Sequence, residues 1–334
     1  KRGQGGFGKV NLGLHILTGR IVAIKSFNKA KYSNEKMKKI FYETNLMKNL
    51  NHKNVTKILE LFEDEKYIFI IMEYINGGNL FSFVKKRRKL SEKITKFIFK
   101  QIILGIKEIH SKNIVHRDIK LENILIDLNN NVKICAFGIG FKINSPNQLL
   151  HDRCGTPVYM APEILKCNKK EGYKGFPVDI WSSGISLYLM LSGDLPFKEN
   201  ESKKNIINSD DSDGLGYSIV NNKFKPITTI SKEANNLLKG LLNKNPSSRL
   251  TCDQILKHHW LEDKYQLFTK IEKIMLSKTY VDYRLNENEN LKENFTLSNL
   301  YKDDIINEKE LKNNLSKSII YTPFNTYILC QTYE

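Results

Sequence analysis

The sequence predicts an α+β protein in two parts, a small β-rich part followed by a larger, mainly helical part. Three observations carry this prediction. Up to about residue 75, apolar residues mostly recur with the period of strands, and one helical stretch interrupts them. Asn76-Gly77-Gly78 then breaks the pattern and predicts a hinge. Beyond the hinge, apolar residues recur mainly at helical spacing.

The small part is predicted to contain four strands and one helix. Thr18-Gly19 is a typical turn between the first two strands, and Glu63-Asp64-Glu65-Lys66 is a polar turn between the last two. The apolar residues between Glu35 and Leu50 lie close to helical spacing. The predicted strands cover residues 7–14, 21–25, 55–62 and 67–73.

The larger part is predicted to begin its main helix after Ser91, a favourable N-cap residue. Short strands at 124–127 and 132–135 flank an Asn-rich turn, and the polar stretch 198–214 has the composition of an insertion. Residues 262–334 keep apolar stripes among Lys and Asn, and we expect them to form a separate helical appendage. Further helices are predicted at 179–191, 232–242 and 252–258.

Composition excludes several classes of protein. Of the 334 residues, 40% are hydrophobic, which is too many for a disordered chain. Apolar runs such as Ile68–Met72 fall far short of the ~20 residues that span a bilayer, which excludes a membrane-spanning protein. The five cysteines are scattered without a Cys-x-x-Cys pair, so we expect neither disulfides nor structural zinc, but reduced thiols in the cytosol or nucleus.

The charge balance raises the question of nucleic-acid binding. The chain has 53 Lys and Arg residues against 36 Asp and Glu residues, a formal charge of +17. These cations are spread along the chain, and the one dense run, Lys85-Lys86-Arg87-Arg88-Lys89, has no interleaved aromatic residues for base stacking. We therefore interpret the charge as a solvated lysine-rich surface and expect no nucleic-acid partner. The oligomeric state is not indicated.

The first chemical motif is Gly3-Gln4-Gly5-Gly6-Phe7-Gly8-Lys9-Val10, which matches G-x-G-x-x-G-x-V. Glycines at these positions let backbone N–H groups approach a phosphate without side-chain interference. A dinucleotide-binding fold would start a helix after the last glycine. Here the pattern continues as a strand and reaches Val22-Ala23-Ile24-Lys25, which favours a nucleotide phosphate over a nicotinamide cofactor.

A second motif, His116-Arg117-Asp118-Ile119-Lys120-Leu121-Glu122-Asn123, follows the long apolar helix. Phosphoryl transfer needs a carboxylate to accept the hydroxyl proton, a cation for the moving group and a metal ligand. Asp118, Lys120 and Asn123 supply these groups within six residues. Ala136-Phe137-Gly138 and Ala161-Pro162-Glu163 follow in order.

This set of motifs resembles the eukaryotic protein-kinase family, over residues 1–261. The resemblance implies a bilobal fold with a small lobe at 1–74, a hinge at 73–79 and a large lobe at 80–261. It implies ATP and Mg²⁺ as cofactors and a protein serine or threonine as substrate. Lys120 and Thr156 resemble the serine/threonine class rather than the tyrosine class. Cys154-Gly155-Thr156-Pro157 and the closing Leu256-Lys257-His258-His259-Trp260-Leu261 look most like the calcium/calmodulin-dependent and AMP-activated-related group.

The resemblance also implies a role for each matching residue. Lys25 would contact the α- and β-phosphates and pair with an acid on the small-lobe helix. Glu43 matches that acid best, and Glu35 is the competitor. Asp118 would be the base, Lys120 would contact the γ-phosphate, and Asn123 would bind the metal. The nucleotide site would consist of the Gly-rich residues Gly3, Gln4, Gly5, Gly6, Phe7 and Gly8, the apolar residues Val10, Ala23 and Leu125, the hinge backbone of Glu73 and Ile75, and the gatekeeper Met72.

Further residues match the family's scaffold and regulatory positions. Glu163 and Arg249 match a buried ion pair, and Asp179 matches the acid that braces the catalytic loop. Asp152 lies where relatives place an activating phosphothreonine, so it either pairs with Arg117 or is an ordinary loop acid.

Substrate preference and the tail are open at this stage. Glu122 matches one member of the acidic pocket that binds substrate arginines, but Asn79 replaces another. Cys135 is expected beside the ATP pocket as a structural thiol. Residues 262–334 either form a ubiquitin-associated-like regulatory segment or a lysine-rich linker that docks nothing.

One residue departs from the family pattern in a way that affects function. Ala136 occupies the position of the aspartate in Asp-Phe-Gly, whose carboxylate binds Mg²⁺. A methyl group cannot bind a metal, so we expect strongly reduced phosphoryl transfer. Either the protein is a pseudokinase that acts by binding, or Ala136 is an inactivating change in a kinase. The presence of Lys25, Asp118, Lys120 and Asn123 favours the second hypothesis.

Overall fold

A computed structural model describes residues 9–168, 170–198 and 214–262, together with the backbone of 319–321 and 326–333. The Gly-rich residues Gly3–Gly8, residues 199–213 of the predicted insertion and most of the tail lie outside the described residues.

The described chain divides into strands and helices in the following order. The strands are β1 (Lys9–His15), β2 (Arg20–Asn28), β3 (Ile58–Glu63), β4 (Tyr67–Glu73), β5 (Ile114–Val115), β6 (Ile124–Ile126), β7 (Val132–Ile134), β8 (Phe141–Lys142), β9 (Leu149–Leu150), β10 (Tyr173–Lys174), β11 (Ile319–Tyr321) and β12 (Thr326–Tyr333). The helices are α1 (Asn34–Lys48), α2 (Leu80–Arg87), α3 (Glu92–Ser111), α4 (Pro162–Lys166), α5 (Gly175–Ser192), α6 (Gly214–Asn221), α7 (Lys232–Leu241) and α8 (Cys252–Leu256).

These elements form two compact units. The described part of the first unit comprises residues 9–48, 56–76 and the two tail strands, and that of the second comprises 49–55 and the residues from Gly77 to Glu262. The division after Asn76 lies within the predicted hinge segment 73–79. No helix among the described residues is both long enough and apolar enough to cross a membrane.

The first unit is an antiparallel sheet with the strand order β11-β12-β1-β2-β4-β3, accompanied by α1. Side chains alternate between its two faces because successive Cβ atoms of a strand point in opposite directions. Val22 and Ile24 of β2 and Phe69 and Ile71 of β4 form the apolar core. Gly13 is required beside this core, because a Cβ there would lie 2.3 Å from Cδ1 of Ile24.

The register of the sheet also determines which residues share the face opposite the core. Val10 lies opposite Lys25, and Ala23 lies opposite Met72. Directly opposed residues point the same way, so these four side chains belong to one face. Of these four residues, Lys25 is a cation and the other three are apolar.

The predicted third strand begins later than expected. Residues 55–62 were expected to be extended, but β3 begins at Ile58. Val55 instead pairs with Ile134 in the second unit, and the Ile134 N–H donates to the Asn54 carbonyl at 2.9 Å. Because Val55 pairs with Ile134, which is distant in sequence, the start of this apolar run does not join β3.

The prediction of a helical tail is wrong for the tail residues that the structure describes. Residues 319–321 and 326–333 form the strands β11 and β12, which pair with each other, and β12 pairs with β1. The run Thr326–Tyr333 is rich in β-branched and aromatic residues, which favour extended backbone. Pairing with β1 also satisfies backbone groups that an open strand edge would leave without partners.

The second unit is mainly helical, around the buried helices α3 and α5. Ser91 caps α3 by accepting the Ile94 N–H at 3.4 Å. Helix α5 is buried on most of its surface, including Trp181. Helix α2 was not predicted, although Leu80, Phe83 and Val84 have helical spacing and are buried. The hairpin β6–β7 places Leu125 opposite Lys133.

Candidate active site

In the first unit, Lys25 of β2 lies near Glu43 of α1. Their closest atoms, Nζ and Oε1, are 3.9 Å apart, and the two side chains are 12% and 10% exposed. Glu35 is exposed in the first turn of α1, where it stabilises the helix dipole. The structure therefore pairs Lys25 with Glu43 and not with Glu35.

The surroundings of Lys25 suit a nucleotide. An ammonium held beside a carboxylate can bind a phosphate oxygen as a point charge. The neighbouring face of Val10, Ala23 and Met72 is apolar, and a flat aromatic base can lie against such a surface.

Hydrogen bonds between Glu73 and Lys57 hold the end of β4, where the hinge residues begin. Glu73 donates its N–H to the Lys57 carbonyl at 3.1 Å and accepts the Lys57 N–H on its side chain at 2.7 Å. Ile75, which follows β4, is half-buried.

In the second unit, the side chains of Thr156, Asn123 and Lys120 contact the carboxylate of Asp118. Asp118 Oδ1 accepts the hydroxyl of Thr156 at 2.7 Å. Asp118 Oδ2 lies 2.8 Å from the Asn123 amide nitrogen and 2.9 Å from Lys120 Nζ. Lys120 also donates to Thr156 Oγ1 at 2.7 Å. The predicted base therefore faces an alcohol oxygen beside a lysine cation.

A buried acid distant in sequence holds this loop in place. Asp179, at the start of α5, accepts the backbone N–H groups of His116 at 2.9 Å and Arg117 at 2.8 Å. It also lies 2.9 Å from His110 Nε2. Arg117 adopts a φ of 64°, and these hydrogen bonds offset the strain of that conformation. No motif in the sequence predicted this contact of His110, which lies in the last turn of α3.

His116 connects the same loop to the segment around Ala136. Its Nδ1 accepts the Asp118 N–H at 3.2 Å, so the ring proton is assigned to Nε2, which donates to the Cys135 carbonyl at 3.0 Å. Its ring lies 4.6 Å from that of Phe137. His116 therefore contacts both neighbours of Ala136, through the Cys135 carbonyl and the Phe137 ring.

Ala136 itself has an unusual backbone conformation. Its φ is 62°, in the left-handed region, which Asn and Asp adopt more readily than Ala. The side chain offers no ligand atom, and among the described residues no group of three His, Cys, Asp or Glu could hold a metal. Asn123 remains the predicted metal ligand in this region, through its amide oxygen.

Cys135 packs against the same loop. Its N–H and its thiol both lie close to the Asn123 carbonyl, at 2.9 Å and 3.3 Å. This supports a structural use of the thiol. No disulfide joins Cys135, Cys154, Cys167 and Cys252, the cysteines whose side chains the structure describes.

The predicted scaffold pair is present and buried. Arg249 binds Glu163 through two hydrogen bonds, of 2.6 Å and 3.0 Å. Its other donors reach the carbonyls of Pro177 and Asn243, and its guanidinium lies 5.2 Å from the centre of the Trp181 ring.

The remaining predicted residues make local contacts. Glu122 accepts the hydroxyl of Tyr159 at 3.3 Å, and burial together with this carboxylate raises the pKa of Tyr159. Asn79 caps α2 by accepting the Ser82 N–H at 2.8 Å. Leu125 of β6 is half-buried.

With this geometry established, comparison with known proteins identifies the family. The model of the protein kinase domain matches residues 1–261. The chain belongs to the protein kinase family. The bilobal kinase fold agrees with the β-rich first unit and the helical second unit.

Two relatives of this chain come from Dictyostelium discoideum. A probable serine/threonine-protein kinase, MARK-C, is 38% identical over 271 residues, which cover 80% of the chain and 33% of the relative. A second probable serine/threonine-protein kinase is 37% identical over 286 residues, covering 84% of the chain and 32% of the relative. The chain thus spans about a third of the length of these curated relatives.

Proposed function

We propose that the chain transfers a phosphoryl group from ATP to serine or threonine hydroxyls of protein substrates, at a rate that Ala136 strongly reduces. The observation that carries the proposal is the contact of Asp118 with an alcohol, the Thr156 hydroxyl, at 2.7 Å. A carboxylate in that position can accept the proton of a substrate hydroxyl. Membership of the protein kinase family supports the proposal.

Each unit contributes different groups in this proposal. In the second unit, Asp118 orients the substrate hydroxyl and takes its proton, and Lys120 places a positive charge next to the moving phosphoryl group. In the first unit, Lys25 holds phosphate oxygens, and Glu43 positions Lys25. The Gly-rich residues Gly3–Gly8, which would supply backbone N–H groups, lie outside the described residues.

The proposed nucleotide site and the proposed metal site differ in how well the residues fit. The apolar face beside Lys25 fits an adenine nucleotide, and Leu125, Glu73 and Ile75 are the further base-binding residues that the resemblance proposes. The donor set for Mg²⁺ is incomplete, because Asn123 offers one amide oxygen and Ala136 offers none. Loss of one preorganised electrostatic group commonly costs ~10²–10³ in rate.

The finer assignments are proposals on the same basis. The Lys120–Thr156 hydrogen bond supports the serine/threonine class. The relative named MARK-C supports placement in the calcium/calmodulin-dependent and AMP-activated-related group. We propose residues 1–261 as the kinase domain and 262–334 as an extension. We propose the cytosol or nucleus as the compartment on the basis of the scattered cysteines of the sequence.

The second candidate function is a pseudokinase that binds nucleotide or protein without transferring phosphate. Ala136 is the observation that favours it. Phosphate transfer to a serine/threonine peptide mixture, and ATP affinity with and without Mg²⁺, should be compared for the protein and for Ala136→Asp. Ala136→Asn, which suits the same backbone conformation but lacks the carboxylate charge, is the matched control.

The two candidates predict different results. If the chain is a kinase inactivated at one position, Ala136→Asp raises transfer about a hundredfold or more, and Asp118→Asn in that background abolishes it. If restoring the acid gains no transfer while ATP still binds, the pseudokinase function is correct. If neither protein binds ATP, both candidates are wrong.

A further inference from the structure

Five consecutive basic residues, Lys85-Lys86-Arg87-Arg88-Lys89, lie at the C-terminal end of α2 and in the turn that follows. The side chains of Lys85, Arg88 and Lys89 are exposed, and within the described part of the chain they make no ion pair or hydrogen bond. Arg87 differs, since its guanidinium donates to the Phe83 carbonyl at 3.3 Å and lies 3.8 Å from the centre of that ring. We call Lys85, Arg88 and Lys89 the basic turn.

The backbone of the basic turn is strained at Arg88. Its φ and ψ are 63° and −48°, and the Lys89 N–H donates to the Arg87 carbonyl at 2.7 Å. This is the rare form of the three-residue γ-turn, which has a conformational cost for a residue with a Cβ. Glycine would adopt the conformation without that cost. The arginine at this position places a cation on a turn that glycine would form without strain.

The strained turn is also fixed against the end of α5. The N–H of the buried Leu90 donates to the Met190 carbonyl at 2.8 Å. Gly193 has a φ of 78°, and a Cβ there would lie 2.2 Å from the Arg88 carbonyl oxygen. The C-terminal end of α5, which is distant in sequence, therefore holds the backbone of the turn from which the three cations project.

Among the acids that the structure describes, none forms an ion pair with these cations. Asp194, which follows Gly193, is already paired with Lys198. The macrodipole at the C-terminal end of α2 favours cations there, but at an exposed site this interaction is weak and screened by salt. The cluster therefore leaves positive charge available for an external anion.

We propose that the basic turn is a docking surface for an acidic segment of a partner protein. Charge complementarity supports this occupant, because carboxylates or phosphates on an extended segment can bind three closely spaced cations. The exposed residues of the turn are all cationic and none is aromatic, which disfavours single-stranded nucleic acid. The proposal goes beyond phosphoryl transfer and does not depend on it.

The test measures binding directly, without catalysis. A fluorescein-labelled peptide of alternating glutamate and serine is titrated with the full chain at near-physiological salt, and anisotropy gives the affinity. A peptide with glutamine in place of glutamate is the control ligand. The triple variant Lys85→Gln, Arg88→Gln, Lys89→Gln should bind the acidic peptide about tenfold more weakly.

A matched control variant separates a local surface from the overall charge. Lys31→Gln, Lys38→Gln and Lys39→Gln together remove the same charge from three exposed lysines of the first unit. This variant should bind the acidic peptide as the parent does. Equal weakening by both triple variants would overturn the proposal, since the effect would then be bulk attraction.

Arg88→Gly provides a second test with two readouts that move in opposite directions. It relieves the strained turn and should raise the melting temperature, while it removes one cation and should weaken peptide binding severalfold. Arg88→Lys keeps both the charge and the strain and should bind the peptide as the parent does. Unchanged binding by Arg88→Gly, or tighter binding of a single-stranded oligonucleotide with the same dependence on the basic turn, would overturn the proposal.

Discussion

The guanidinium of Arg117 lies 3.5 Å from the carboxylate of Asp152, and the Asp152 side chain is 75% exposed. The Arg117 guanidinium also has other partners. Its Nε donates to the Ile139 carbonyl at 2.6 Å, and its cation lies 5.3 Å from the centre of the Phe141 ring. The exposure of Asp152 limits what the pair contributes, since solvent screens exposed ion pairs.

Asp152→Asn should therefore have a small, salt-sensitive effect. We expect phosphate transfer in the Ala136→Asp background to fall about two- to fivefold at low salt, because one weak contact of the segment after Phe141 is lost. The difference should disappear at high salt. Glu65→Gln, at an exposed acid in the β3–β4 turn, is the control and should change nothing. A large effect that salt does not alter would contradict this account.

The Lys25–Glu43 pair predicts an unequal effect of two acids on the same helix. Glu43→Gln should weaken ATP binding about tenfold, because Lys25 loses the carboxylate that positions it. Glu35→Gln should leave ATP binding unchanged, since Glu35 is exposed at the start of α1. Titration with a fluorescent ATP analogue measures both affinities. Equal losses for the two variants would show that Glu43 has no specific positioning role.

The left-handed backbone at Ala136 predicts that glycine is more stable there. Ala136→Gly should raise the free energy of unfolding by about 1 kcal/mol, because glycine adopts a φ of 62° without the contact between Cβ and carbonyl oxygen. Asn113→Gly is the matched control at a φ of 56°, and its gain should be smaller, since Asn tolerates this region. Urea denaturation gives both values. No gain for Ala136→Gly would mean that the loop relaxes around alanine.

The buried pair of Arg249 and Glu163 predicts a severe cost for a conservative substitution. Arg249→Lys should lower the free energy of unfolding by about 3–5 kcal/mol, because a lysine cannot replace the bidentate contact and leaves buried acceptors without donors. Lys107→Gln breaks the exposed Lys107–Asp253 pair, of 2.5 Å, and should have no measurable effect. Thermal denaturation compares the two. Similar small losses would show that the buried pair is dispensable.

Glu92 predicts a stability effect that depends on pH. Partial burial by itself raises the pKa of its carboxyl, but hydrogen bonds from Trp260 and Ser231 outweigh this and hold the pKa below its ordinary value of 4.5. The ionised form is therefore favoured in the folded state, so its stabilising contribution is complete above about pH 4.5 and is lost as the pH falls through the folded-state pKa.

Glu92→Gln should accordingly lower the melting temperature near neutral pH, and the difference from the parent should narrow as the solution is acidified. Trp260→Phe removes one of the donors, at 2.8 Å, and should give an intermediate effect. Melting temperatures across a pH series measure both variants. A difference that stays constant down to strongly acidic pH would contradict the lowered pKa.

Several parts of the fold could be predicted because their signals are local. The cap at Ser91, the spacing of apolar residues in α3 and the polar turn after β3 depend on neighbouring residues only. Two errors have non-local causes. Val55 pairs with Ile134 instead of extending β3. Thr326–Tyr333, predicted within a helical tail, is a strand that pairs with β1.

By itself, the sequence predicted the main strands of the first unit, the long helices of the second and the candidate chemical groups Lys25, Asp118, Lys120 and Asn123, because periodicity and motif spacing are properties of short segments. Only the tertiary structure decided which groups meet. It placed Glu43 beside Lys25 and brought the Thr156 hydroxyl to the Asp118 carboxylate. It also placed the Asp179 carboxylate where it accepts the backbone N–H of His116. These contacts join residues far apart in the chain, and only packing of the folded core brings such residues together.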